Sequence, residues 1–158
     1  MTLLNDVPEL AAADVRTDQP TRNAKLKWVV IVDADLPPGP AANAVACLSA
    51  SVGWAVPNLV GPGGVDASGG HHHGLPWLGC TVLAASSEEL RSIRTRAVAR
   101  EDLYVVDMAE PAQAVRVYDD YLAALETADP AEITYQAISV VGPRNPVNKL
   151  VGRLGLLH

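Results

Sequence analysis

The sequence predicts an α/β fold, an open sheet of four strands with helices on both of its faces. Three observations predict it. Four short apolar runs alternate with segments of helical spacing, in the order β-α-β-α-β-α-β-α. The first run, KLKWVVIVD at 25–33, is almost continuously apolar and β-branched, the pattern of a strand covered on both sides. The helical segments open at defined capping and proline signals. The chain has 158 residues, which suits one domain with a sizeable core.

Residues 1–24 read as a flexible leader. They are acidic early and lack a basic start followed by a long apolar block, so they are no secretory signal. The single domain then spans 25–158. After the first strand, Pro37, Pro38, Gly39 and Pro40 force a loop. Residues 41–54 are small and apolar with no Gly or Pro before Gly53, which predicts a helix that packs close to its neighbour. Residues 57–76 hold half of the glycines and form a long loop, of the length more often functional than neutral.

LGCTVLA at 78–84 reads as the second strand. Ser86 and Glu89 make a capping box, and behind it Leu90, Ile93 and Ala97 share one helix face. LYVVDM at 103–108 is the third strand. Pro111 opens a helix with Val115, Tyr118, Leu122 and Leu125 at helical spacing, and Asp129-Pro130 ends it. ITYQAISVV at 133–141 is the fourth strand. The turn from Gly142 to Pro146 leads to a last helix through Lys149 and Val151, with Asn145 as the expected N-cap and Pro146 as its first residue.

Charge and composition exclude some functions. The net charge is −6 and the isoelectric point about 5.1, against the clustered Lys and Arg that phosphate-backbone binding needs, so tRNA is an unexpected partner. No apolar run reaches the length of a membrane span. The two cysteines, Cys47 and Cys80, read as buried thiols of a cytoplasmic protein rather than a disulfide framework.

The stretch GGVDASGGHHHG at 63–74 carries the chemistry most open to choice. Adjacent side chains of His71, His72 and His73 diverge on an extended backbone, and no C-x-x-C or H-x-x-x-H spacing supports a metal set, so no metal site is expected. A solvated loop and a catalytic or ligand-contacting histidine both stay open. Asp66 and Ser68 have the spacing of an Asx-turn, but with His72 nearby they also form a candidate catalytic set. Arg144 and Asn145 lie where a strand ends and a helix begins, a place suited to an anion. Asn43 on the first helix is a further candidate for ligand contact, with His71 and His73. Lys149 reads as solvated.

Two family resemblances bear on these positions. Asp35 to Gly53, DLPPGPAANAVACLSASVG, resembles without gaps the opening D-L-x-M-x-x-G-K-x-A-A-Q-x-x-H-A-x-x-G of the type 2 peptidyl-tRNA hydrolases. Val141-Gly142-Pro143 through Leu156 is similar to the close of that family. The chain resembles still more the bacterial family catalogued as domain of unknown function two thousand. The shared stretches are Asn43–Ala46, Pro57–Gly61, Asp66–Gly69 and Gly142–Lys149 in order.

The resemblance implies a three-layer α-β-α sandwich with a four-stranded mixed sheet, like the hydrolase fold. It does not carry the reaction. The hydrolase Lys, Gln and His fall on Ala42, Ala46 and Ser49, and alanine neither orients water nor stabilises an oxyanion. The acidic residue of the hydrolase loop falls near Asp107, where the loop pattern is absent and a helix of about twenty residues is inserted.

The expected function is therefore an enzyme or binder for a small anionic molecule, using a cleft at the strand ends and no cofactor. One alternative is a hydrolase or transferase of aminoacyl or peptidyl esters with a replaced catalytic set. The other is a non-catalytic homodimeric module.

Overall fold

The structure, a computed structural model, describes residues 6–158. Strand β1 (Leu26–Asp33) runs through the middle of a five-stranded mixed sheet of order β5-β6-β1-β4-β7. It pairs in parallel with β4 (Thr81–Ala85), Val30 opposite Val82, and antiparallel with β6 (Tyr135–Pro143), Val30 opposite Ser139. Edge strand β5 (Tyr104–Ala109) lies antiparallel to β6. A two-residue strand β7 (Gly155–Leu156) closes the other edge against β4.

The sheet thus has five strands where the sequence predicts four. The extra strand is β7, and two residues are too few to carry a period-two pattern. Their assignment comes from pairing with Leu83 and Ala84. A separate two-stranded ribbon, β2 (Gly64–Val65) and β3 (His71–His72), forms within the long glycine-rich loop.

Helices cover both faces, and the residues of β1 divide between two cores. Trp28, Val30 and Val32 face helix α1 (Pro38–Ala55), which buries Ala41, Ala44, Leu48 and Val52. The small side chains at 41 and 44 let α1 lie close to the sheet, as expected from its composition. Val29 and Ile31 face α2 (Ser87–Val98) and α5 (Arg144–Val151) through Leu90, Ile93, Ala97, Val147 and Val151.

The capping box at α2 forms as predicted, Ser86 accepting from the Glu89 amide at 3.3 Å while Glu89 Oε2 accepts from the Ser86 amide at 2.9 Å. Between β1 and β6 the Trp28 indole N–H donates to the Ser139 hydroxyl at 2.8 Å. This gives the buried indole donor the partner it needs.

Two helix expectations are corrected. The helix expected from Pro111 through Leu125 is two, α3 (Pro111–Ala114) and α4 (Tyr118–Thr127). Val115 and Val117 take extended dihedrals, and β-branched residues on either side of Arg116 favour that break. The last helix begins at Arg144, with Pro143 and not Asn145 at its N-cap. β6 runs through Pro143, so Asn145 falls one position inside the helix, where it is exposed.

Residues 6–24 lie against the domain, while the first five residues of the expected leader fall outside the described residues. Leu10 is buried in the α1-side core, and its carbonyl accepts from Asn58 Nδ2 at 2.8 Å.

Candidate functional site

The stretch at 63–74 folds as a hairpin. Val65 pairs with His71 and Gly64 with His72. Further down the arms, the Gly61 amide donates to Leu75 O at 2.9 Å and Val60 bridges Pro76. The arms meet so closely that a Cβ on Gly63 would sit 2.5 Å from the His72 carbonyl oxygen, which explains glycine there. At the tip, Gly69 takes φ +88°, a conformation glycine adopts without strain.

Asp66 is the hub of this tip. Its Oδ1 accepts from the Ser68 amide at 2.7 Å, the Ser68 hydroxyl at 2.6 Å and the Gly70 amide at 3.0 Å. Its Oδ2 lies 3.2 Å from His72 Nε2. The Ser68 hydroxyl foremost, then the Gly70 amide and His72, hold the Asp66 carboxyl well below the usual carboxylate range.

The structure thus brings Asp66, Ser68 and His72 together, with the carboxylate between the other two. The Ser68 hydroxyl is spent on Asp66, so no serine–histidine contact of the kind that activates a nucleophile is made. His71 and His73 alternate with His72 along the strand and are exposed. Among the described residues, no three His, Cys, Asp or Glu side chains gather as a metal-holding set.

The other predicted residues stand on separate elements. Asn43 is exposed on α1, and its Oδ1 accepts from Gln113 Nε2 at 3.0 Å. Arg144 donates through Nε to Ala24 O at 3.2 Å and through a terminal nitrogen to Thr21 O at 2.6 Å, fastening the N-terminal segment to the domain. Asn145 is solvent-facing. Lys149 is exposed and borders a groove between α2 and α5.

A cleft of about 400 Å³ lies elsewhere, between α1, the edge strand β5 and the α3–α4 connection. Helix α1 contributes Cys47, Leu48 and Ser51. Cys47 is exposed here and not buried as the sequence suggested, because it comes one position before Leu48, about 100° round the helix from it and off the buried stripe of 41, 44, 48 and 52. Val106, Asp107 and Met108 of β5 all line the cleft. Successive strand residues point to opposite faces, so three in a row place the strand's edge, with its unpaired backbone groups, at the opening.

Tyr118 and Tyr121 of α4 form another wall, their ring centroids 5.8 Å apart and tilted by 60°. Burial, aided by the nearby Asp107 carboxylate, raises the Tyr121 hydroxyl above its ordinary range. Asp107 itself is bound by Arg94 Nε at 2.9 Å, and the Arg94 guanidinium also stands 5.1 Å from the centre of the Tyr135 ring. Arg116 lines the cleft and makes no ion pair among the described residues. Sequence reasoning missed this site. Its available signals were Cys47 and Ser51 four apart on one helix face, and an arginine set between two valines.

The family described as protein of unknown function (DUF2000) matches residues 26–158. Among solved structures the chain is similar to Atu0240, a protein of unknown function from Agrobacterium tumefaciens strain C58. The two are 20% identical with a TM-score of 0.75 over 84% of this chain and 97% of that one, a likeness of fold. No curated protein matches the chain. No helix among the described residues is long and apolar enough to cross a membrane.

Proposed function

As the chain belongs to the DUF2000 family, whose description assigns no activity, we propose that it binds a small molecule in the cleft between α1, β5 and α4. One observation carries this reading: a mostly apolar recess of about 400 Å³ with a few polar groups at its border, the usual form of a small-molecule site. The reading keeps the ligand class expected from the sequence and moves the site. Asn43, the hairpin tip and Arg144 lie on three separate elements: Asn43 is bonded to Gln113, Arg144 to the Thr21 carbonyl, and Asp66 and His72 of the tip to each other.

The hydrolase-like fold belongs to the same proposal, without its reaction. Ala42, Ala46 and Ser49 supply none of the groups that the hydrolase positions require. We also place the protein in the cytoplasm, where Cys47 and Cys80, neither in a disulfide, stay reduced.

Fluorescence titration with the neutral probe N-phenyl-naphthylamine tests the cleft. Saturable binding that Ser51→Trp abolishes, in a variant of unchanged circular dichroism, is the expected result. Binding that Ser51→Trp leaves intact, or none of this probe and none of an anionic counterpart, overturns the assignment.

A second reading is a homodimer through apolar surface. Trp54 is 90% exposed and follows Ser51 on the same face of α1, and Val117, Tyr118 and Leu122 are also exposed. Sedimentation of wild type against Trp54→Glu tests it. A dimer that the variant dissociates supports the reading, and a wild-type monomer excludes it.

A further inference from the structure

We propose that the cleft selects an amphipathic aromatic anion, with Arg116 taking the anionic group and the Tyr118–Tyr121 wall taking the ring system. This rests on the cleft being the ligand site. Three features of the lining lead to it.

The first is the charge layout. Arg116 is the one cation among the lining residues and has no carboxylate partner among the described residues. Arg16, Arg94 and Arg100 in contrast each hold an aspartate within 2.9 Å. Asp107, the one carboxylate of the lining, is already bound by Arg94. An anion entering the cleft meets an unspent guanidinium and a neutralised carboxylate. A cation meets the same two groups, is repelled by the guanidinium and finds the carboxylate already neutralised, so the site discriminates by sign.

The second is the wall. Tyr118 leaves 73% of its surface in water beside an apolar recess. A flat ligand laid against the two tyrosine rings removes apolar area from water on both partners and gains offset or edge-to-face contact. Val115, Val106 and Met108 offer the remaining apolar surface.

The third is the backbone around Arg116. Val115 and Val117 are extended between two helices, so the arginine is displayed on a short connection rather than along a helix face. The break that sequence periodicity does not predict is what puts a cation at this opening.

Two probes with the same ring system separate this inference from the cleft reading beneath it. Anilinonaphthalene sulfonate carries a fixed negative charge, and N-phenyl-naphthylamine is neutral. Titrated into the full chain at low salt, the sulfonate binds more tightly. Arg116→Gln weakens it about tenfold, as expected for loss of one charge-assisted contact. The neutral probe is unaffected, and Ser51→Trp removes both.

If both probes bind in the cleft and Arg116→Gln changes neither, the anion preference is wrong and the cleft reading stands. If neither probe binds saturably, or Ser51→Trp leaves both bound, both readings fall. Arg116 is exposed and makes no ion pair among the described residues, so the melting temperature of Arg116→Gln should match wild type, which separates lost binding from lost folding.

Discussion

Asp66 Oδ2 lies 3.2 Å from His72 Nε2 across the tip of a glycine-built hairpin, while Oδ1 of the same carboxylate takes three further donors from Ser68 and Gly70. These side-chain bonds add to two backbone bonds at the tip, from the Asp66 amide to Gly70 O at 2.9 Å and from the Gly69 amide to Asp66 O at 3.0 Å.

Asp66→Ala should loosen the tip without unfolding the domain, because the hairpin pairs outside the main sheet. Amide exchange at Ser68 and Gly70 should quicken by an order of magnitude or more, roughly the protection that such local bonds confer, while exchange in β1 and β6 stays slow. Exchange equally slow at the tip would show that the backbone pairing holds it alone.

The pH dependence of the tip follows from the depressed Asp66 carboxyl. A carboxyl whose folded value lies below its unfolded value contributes stability above the unfolded pKa, about 3.9 for aspartate. That contribution is lost as pH falls below it toward the folded value. The hairpin should keep its chemical shifts down through the ordinary carboxylate range and loosen only below it. An NMR titration of the Asp66 carboxyl carbon with a midpoint near the ordinary value would contradict this.

Ser139→Ala leaves the buried Trp28 N–H without its acceptor. The expected cost is about 1–3 kcal/mol, the penalty for an orphaned buried donor. At this chain length that lowers the melting temperature by roughly 2–4 °C for each kcal/mol. Trp28→Phe combined with Ser139→Ala should cost less than the sum of the single changes, since the double variant orphans nothing. Additive costs would mean that the bond contributes little.

The two thiols should react at different rates. Cys47 opens onto the cleft. Cys80 is exposed as a residue, yet burial of its thiol pushes its pKa up to about 12, so little thiolate forms at neutral pH. Dithiobis-nitrobenzoate at pH 8 should label one thiol quickly, and Cys47→Ser should remove the fast phase. Equal rates at both would contradict the buried setting of the Cys80 sulfur.

Ser86→Ala removes the hydroxyl that accepts from the Glu89 amide, while the backbone amide at 86 still donates to the Glu89 carboxylate. The expected loss is about 1 kcal/mol, read as a lower denaturant midpoint at unchanged slope. Restoring a cap with Ser86→Asp should recover most of it.

The sequence by itself determined the α/β class, the β1, β4, β5 and β6 strands, the capped α2 and the small-residue face of α1. These are set by local chemistry: periodicity two or 3.6, β-branched runs, and caps that act within four residues. It also placed Asp66, Ser68 and His72 in one turn, because they lie within seven positions of chain.

Tertiary structure decided the rest. β7 exists only because Leu83 and Ala84 offer it an edge. Arg144 is drawn to the carbonyls of Thr21 and Ala24, more than a hundred residues away in the chain. The cleft joins Ser51, Met108, Arg116 and Tyr121 from four separate segments. No local pattern encodes that meeting, because which surfaces face each other is fixed by how the apolar faces of the helices pack on a sheet whose strand order is not the order of the chain.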